Sequence, residues 1–423
     1  MISVDAARAL VLEAAGAAGP LEAETIALAE AAGRVLREEI LADQAMPPFT
    51  RSAMDGFALR ATDTRRAPAR LEVIEEIPAG RAPEKTVGPG QASRIMTGAV
   101  LPPGADAVQM IELTRPAAAG GSAAAGSSAA AGSFVEIMEP VEPGQHVRRE
   151  GEDLARGARL AASGDRIGAA LIGLLASSGH AQLRASRRPR VAIIPTGDEL
   201  VEPDRRPGPS QIRESNGQTL RALVGAAGGL PALQPIARDD AEALRLTIVR
   251  SLAQSDILLM SGGVSMGDYD LVGDALISSG CRKVFDRVAI QPGKPLFFAT
   301  RDGEGAKLVF GLPGNPVSTV VDFLLFARPA MLRLMGATQC EEPLIAARLA
   351  KPLSRRPGRR AYLPATLRWD KGSLEAVLLP SMGSADMVSL ARAEALAIIP
   401  EESSDLPAGA SVQMLPLSGL TRT

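Results

Sequence analysis

Residues 256–280 read DILLMSGGVSMGDYDLVGDALISSG, and their reading decides the fold. The run ILLM is apolar without alternation, as a strand buried on both faces of a sheet must be. SGG follows, then a polar turn, then the helical pattern LVGDALISSG. Gly262 and Gly263 let backbone amides turn toward an anion at the N-terminus of that helix, so the loop is a candidate phosphate seat. Taken alone, the same glycines would equally serve the geometry of a strand-to-helix turn.

The surrounding segment, 190–336, repeats the alternation: RVAIIPTG, NGQTLRALVGAAGG, LPALQPIARDD, a helix from Ala241 to Ala253, DILLMSGG, a helix after Tyr269, and KVFDRVAI. Such a pattern implies a parallel sheet covered by helices on both faces. Ligands of these sheets bind at the carboxyl ends of the strands. Here those ends run into PTGDEL, ARDD, SGGVSMGDYD, QPGKP and GLPGNPVS.

Glu199, Asp239 and Asp270 each follow a different strand, where clustering negative charge gains nothing without a cation. Mg²⁺ suits them, because it takes carboxylate and phosphate oxygen together. Singly, each would also fit a helix cap or first turn, a role that suits Asp268 better than Asp270. Pro313 and Pro316 fix the chain on either side of Gly314, and Ser318 sits where the helix VSTVVDFLLFA would start. Such a turn presents amides and a hydroxyl at little ordering cost. Lys294 is a point charge suited to an oxyanion, or simply to solvent.

Residues 1 to 33 read as helical, with Val4, Ala7, Leu10 and Val11 on one face and Gly33 ending the stretch. From Met46 to about Glu142 prolines punctuate short apolar runs such as LEVIEEI and SFVEIM, which predicts a β-rich module. Inside it, PAAAGGSAAAGSSAAAGS (116–133) is expected to be a flexible hairpin loop or linker. After Gly336, runs such as ARLAKPL, EAVLLP and ALAIIP suggest a small C-terminal β domain.

A chain of 423 residues is too long for one core. With 46% hydrophobic and 22% charged residues it has the composition of a soluble protein. Asp5 and Arg8 interrupt the start of the chain, against a secretory signal, and a cytoplasmic location is expected. Two cysteines and two histidines exclude a disulfide framework, a Cys/His zinc site and most Ser-His-Asp schemes, so any metal must be held by oxygen. A net charge of −2 and 3% aromatic residues argue against a nucleic-acid surface.

Taken together, PPFTRSAMDGFALR, RIMTGAVLPPGADAVQMIE, REGEDL, TGDEL, SGGVSMGDYD, PGKP and GLPGNPVS resemble, in order, the signatures of the molybdopterin molybdenumtransferases, the MoeA and gephyrin E-domain family. The resemblance implies a multidomain α/β plus β protein. Its parts would be a three-layer α/β molybdopterin-binding domain with a parallel-type sheet, a β-rich domain, a small linking domain and a C-terminal β-barrel-like domain. The expected boundaries are 1–22 for an N-terminal helix packing on the α/β domain, 23–45 with 147–185 for the linking domain, 46–146 for the β-rich domain, 186–336 for the α/β domain and 337–423 for the last.

The family's reaction takes adenylylated molybdopterin and molybdate, cleaves the pyrophosphate link, and releases molybdenum cofactor and AMP. Position by position, the resemblance puts functional residues at Asp55, Thr97, Asp153, Glu199, Asp239 and Asp270, with Glu199, Asp239 and Asp270 on Mg²⁺. Substrate would be held by Gly262, Gly263, Ser265, Lys294, Pro313, Gly314, Asn315, Pro316, Ser318 and Ser384. It also implies a homodimer whose active site is shared, with Asp55 and Thr97 facing a neighbour's α/β domain, and a handover of substrate from the preceding adenylyltransferase.

Two positions depart from the family. Gln291 stands where a lysine is common before PGKP, and Pro364 where an arginine follows PGR, leaving Arg359 or Arg360 as the substitute. Two rival readings remain at this stage: the molybdopterin adenylyltransferase of the step before, which shares the α/β fold, and a non-catalytic scaffold of the gephyrin kind.

Overall fold

The computed structural model describes residues 1–118, 121–122, 131–263, 271–303, 305–370, 372–380 and 383–417. Contacts divide the chain into two compact units. One comprises Met1–Glu38, Ala162–Gly173 and His180–Thr423; the other comprises Glu39–Ala161 and Leu174–Gly179.

The first unit is organised by a six-stranded sheet in the order Leu230–Leu233, Arg190–Pro195, Ile257–Ser261, Lys307–Leu312, Pro295–Arg301, Arg282–Arg287. Its first four strands are parallel. Pro295–Arg301 runs antiparallel to both neighbours, so the sheet is mixed rather than wholly parallel. The reason lies in the connections: residues 302–306 are too few for a crossover helix, and a short link between neighbouring strands forces a hairpin.

Side chains alternate across this sheet as a two-sided core requires. Val191, Ile193, Ile257 and Leu259 join a core with helix Val4–Ala17, helix Asn216–Ala226 and the helical run after Pro316. Ala192, Ile194, Leu258 and Met260 face helices Ala241–Gln254 and Leu271–Ser278. Helix Val4–Ala17 is capped by Ser3, whose hydroxyl accepts from the Ala6 amide at 3.2 Å. It buries Val4, Ala7, Val11 and Ala15 against the sheet domain. The helical expectation fails beyond it: Ala23–Ala27 is a strand paired antiparallel with Gln182–Ser186.

C-terminal strands close into a barrel. Arg360–Asp370, Ser373–Leu378, Ile345–Leu349, Ser411–Pro416 and Ala395–Ile399 follow one another, and the last pairs back onto the first. Five strands leave a narrow interior, which this chain fills largely with alanine: Ala347, Ala361, Ala365, Ala376, Ala395 and Ala397.

The second unit is β-rich, with a seven-stranded sheet in which Gly56–Leu59 lies between Ala107–Met110 and Gln91–Ile95. Part of the 116–133 run is strand. Thr114–Ala118 pairs with Phe134–Ile137, and Gly121–Ser122 folds back on it. No described helix is long and apolar enough to cross a membrane.

Candidate active site

Three strand ends of the first unit interlock. Thr196, just past Arg190–Pro195, donates its amide to the Ser261 carbonyl at 2.9 Å and its hydroxyl to the same oxygen at 3.3 Å. The Gly262 amide reaches the Leu312 carbonyl at 3.2 Å. Gly262 has φ +101°, and a methyl there would stand 3.0 Å from the Thr196 hydroxyl and closer still to the Thr196 carbonyl. Only glycine lets the phosphate-seat loop leave the sheet this tightly. Ser265 and Asp270, expected to continue that loop, lie outside the described residues.

Asn216 secures the arrangement. Its side-chain amide donates 2.8 Å bonds to the Ser261 hydroxyl and the Gly314 carbonyl, joining two of the turns. Beneath it, the buried Glu214 accepts the Gly217 amide at 2.5 Å, and burial raises the pKa of its carboxyl. The motif reading missed both residues. Their signal was RESNG, a polar run between a strand turn and a helix start.

Glu199 lies close enough to Asp239 for its charge to act on it, and so does Asp198, its neighbour in TGDEL, which was not among the expected site residues. The Asp239 amide donates to Asp198 Oδ1 at 3.3 Å, and the Asp239 carboxyl pKa is raised by burial, then by the charges of Asp198 and Glu199. Mutual repulsion of this kind is what a bound cation relieves, and the donors are all hard oxygen, as Mg²⁺ prefers. Among the described residues no three such side chains are arranged around one point.

A cavity of about 330 Å³ opens on the other side of the Pro313–Ser318 turn. Lys294, Pro313, Asn315, Ser318 and Ser384 line it, as do Gln291, Arg359, Tyr362 and Pro364. Hence both departures from the family pattern face one space. The Val317 amide donates to the Ser384 carbonyl at 3.0 Å, and Thr319 Oγ1 to the Pro313 carbonyl at 2.6 Å, which holds the wall in shape. Pro316 starts helix Pro316–Asp322, with Asn315 at its N-cap. Gly314 itself is exposed, on the side of Asn216.

Of the two candidate substitutes, Arg360 is committed elsewhere. It binds both carboxylate oxygens of Asp5 at 2.8 Å and Glu401 at 3.0 Å, so it is not available to the cavity. Arg359 lines it. Under the cavity, Asp322 is fully buried, and neither of its carboxylate oxygens has a hydrogen-bond partner. Burial alone pushes its pKa well up.

In the second unit, Asp55 Oδ1 accepts the Thr97 amide at 2.6 Å and the Thr97 hydroxyl at 2.7 Å. The Thr97 hydroxyl bond is the main reason that the Asp55 pKa is lowered, with the Thr97 amide next. Asp153 is engaged by Arg148 instead.

Comparison with known proteins places these features. Family models described as "MoeA N-terminal region (domain I and II)", "Probable molybdopterin binding domain" and "MoeA C-terminal region (domain IV)" match residues 2–179, 192–333 and 346–417. A molybdopterin molybdenumtransferase of Nostoc sp. is 37% identical over 94% of this chain and 89% of its own. Molybdopterin molybdenumtransferase 2 of Mycobacterium tuberculosis is 36% identical over 99% of this chain and 100% of its own. The crystal structure of a molybdopterin biosynthesis MoeA protein from Pyrococcus horikosii superposes with a TM-score of 0.71 at 31% identity, covering 99% of this chain and 100% of that one. On these matches and on the fold that carries them, the chain belongs to the MoeA family of molybdopterin molybdenumtransferases.

Proposed function

We propose that this protein inserts molybdenum from molybdate into adenylylated molybdopterin, releasing AMP and molybdenum cofactor. The observation that carries the reading is one shared turn. Gly314 of the Pro313–Ser318 turn lies against Gly262 and accepts from Asn216, while Pro313, Asn315 and Ser318 of the same turn wall the Lys294 cavity. A pyrophosphate and an oxyanion bound on the two sides of that turn would be neighbours.

Each residue then has a task that its position permits. Gly262, its own amide held by the Leu312 carbonyl, makes the turn that presents the Gly263 amide to phosphate oxygens. Lys294 and the Ser318 and Ser384 hydroxyls bind molybdate as substrate, a compact point charge and neutral donors together. Glu199 and Asp239, with Asp270, would hold Mg²⁺, which when bound supplies charge neutralisation at the pyrophosphate. Asp55, kept ionised by Thr97, would complete the site from a second copy of the chain, and the adenylylated substrate would be handed over by the adenylyltransferase in the cytoplasm. The adenylyltransferase alternative is disfavoured because the matches extend through both flanking regions, 2–179 and 346–417. A scaffold would have no use for the acidic pair.

Turnover of adenylylated molybdopterin with Mg²⁺ and molybdate tests the proposal. Asp239→Asn should cut AMP release by about a hundredfold or more, the scale of a lost electrostatic catalytic group, while far-UV circular dichroism stays unchanged. Undiminished AMP release, or ATP consumption in its place, would overturn it.

A further inference from the structure

The Lys294 cavity has a second layer behind its wall. Gln291 is exposed at the cavity edge, and its side-chain carbonyl accepts a bond from Arg355 Nη2 at 3.3 Å. The same guanidinium donates to the Arg359 carbonyl at 2.6 Å and, through Nη1, to the Pro400 carbonyl at 3.1 Å. Arg355 is thus clamped by three oxygens, none of them a carboxylate. Arg359 reaches only the Ile290 carbonyl, at 3.4 Å, among its described hydrogen bonds. The two guanidiniums are close enough that Arg359 adds to burial in lowering the pKa of Arg355.

Both facts favour an anion. Like charges held together without a counter-ion raise the energy of the anion-free form, and a dianion in the cavity removes that cost. A primary amide whose oxygen is held by a cation must offer its two N–H donors the other way, and the cation polarises them.

We propose that Gln291 is an oxyanion donor in this protein, that Arg355 is the positioning residue that orients it, and that Arg359 supplies the full charge, the three together fitting a tetrahedral dianion. This rests on the molybdate reading given above and deepens it. The positive charge absent from position 291 is thereby restored from Arg355 and Arg359 on the neighbouring loop.

Calorimetric titration of the full-length protein with sodium molybdate tests it. Arg359→Ala should weaken binding about tenfold to a hundredfold, the range for hydrogen bonds to a charged group. Gln291→Leu, at an exposed position, and Arg355→Ala should each weaken it about tenfold, with Arg355→Lys between Arg355→Ala and wild type. A lysine carries its own charge and needs no orienting, so Gln291→Lys in the Arg355→Ala background should recover wild-type affinity. Wild-type affinity in Arg355→Ala, or no recovery in the double variant with its circular dichroism intact, overturns the positioning role. Lys294→Ala separates the two levels. If it leaves molybdate binding untouched, the anion is not in this cavity and the wider reading falls; if it abolishes binding while Arg355→Ala and Arg359→Ala do not weaken it, only the present inference fails.

Discussion

Replacing Asp322 with asparagine should make the protein more stable, and increasingly so as pH rises. Asp322 is 0% exposed with both oxygens unpartnered, and burial lifts its pKa well above the ordinary 3.8. Below pH 3.8 both folded and unfolded chains hold the proton, and titration costs nothing. Above it the unfolded chain releases the proton while the folded chain keeps it, so folding loses about 1.4 kcal/mol per pH unit until pH passes the folded-state pKa. Asparagine is neutral throughout and its contribution is flat. The difference in unfolding free energy between Asp322→Asn and wild type should therefore widen by about 1.4 kcal/mol for every pH unit over which Asp322 stays protonated. Urea unfolding followed by circular dichroism at half-unit steps from pH 4 to 8 measures it, and the pH at which the widening stops reads the folded-state pKa directly. Parallel stability curves for the two proteins would refute the argument, because they would mean that Asp322 titrates alike in both states.

Gly293→Ala should be costly for a related reason: Gly293 has φ +107°, and an added methyl would stand 2.8 Å from Asp322 Oδ2 and closer to Oδ1. A loss of about 1–3 kcal/mol from backbone strain is expected, with more from the clash, and Asp322→Ala in the same chain should relieve only the clash, as a double-mutant cycle would show. Asn216→Ala removes two bonds between turns and should raise the KM for adenylylated molybdopterin about tenfold while lowering the unfolding free energy by about 1–3 kcal/mol; an unchanged KM would deny Asn216 its part in the site. Thr97→Val takes away the hydroxyl that most lowers the Asp55 pKa, so the pKa of Asp55, followed by carboxyl carbon resonance, should rise toward about 3.9, and the acid limb of the activity profile should move the same way.

Legibility of the fold followed burial. ILLM and VAIIP announce strands because both their faces are covered, which leaves no polar positions to confuse the pattern. The strand Pro295–Arg301 was harder, since nothing in LFFAT tells direction; only the short link to Lys307 does. Ala23–Ala27 misleads because Leu21, Ile26 and Leu28 suit a helix, and alanine and glutamate favour one, while pairing with Gln182–Ser186 decides otherwise. Glu199, Asp239 and the glycine loop stood out as charge or glycine at strand ends. Asn216, Arg355 and Asp322 did not, for their importance lies in which distant atoms they meet. Asp322 in particular sits in VSTVVDFLLFA with no local sign that its carboxyl is sealed from water.

The first unit is assembled from three separate stretches of chain, and this has a consequence for synthesis on the ribosome. Helix Val4–Ala17 packs against Met331 and Leu334, and Asp5 binds Arg360. At a translation rate of roughly 5–20 residues per second, about fifteen seconds to a minute separate the emergence of that helix from the emergence of its partners. The stretch from Glu39 to Ala161 can fold in that interval. A nascent chain arrested before residue 190, ahead of every strand of the six-stranded sheet, should consequently display Val4, Ala7 and Val11 uncovered, an apolar stripe that a chaperone can recognise and that vanishes once the later segments arrive.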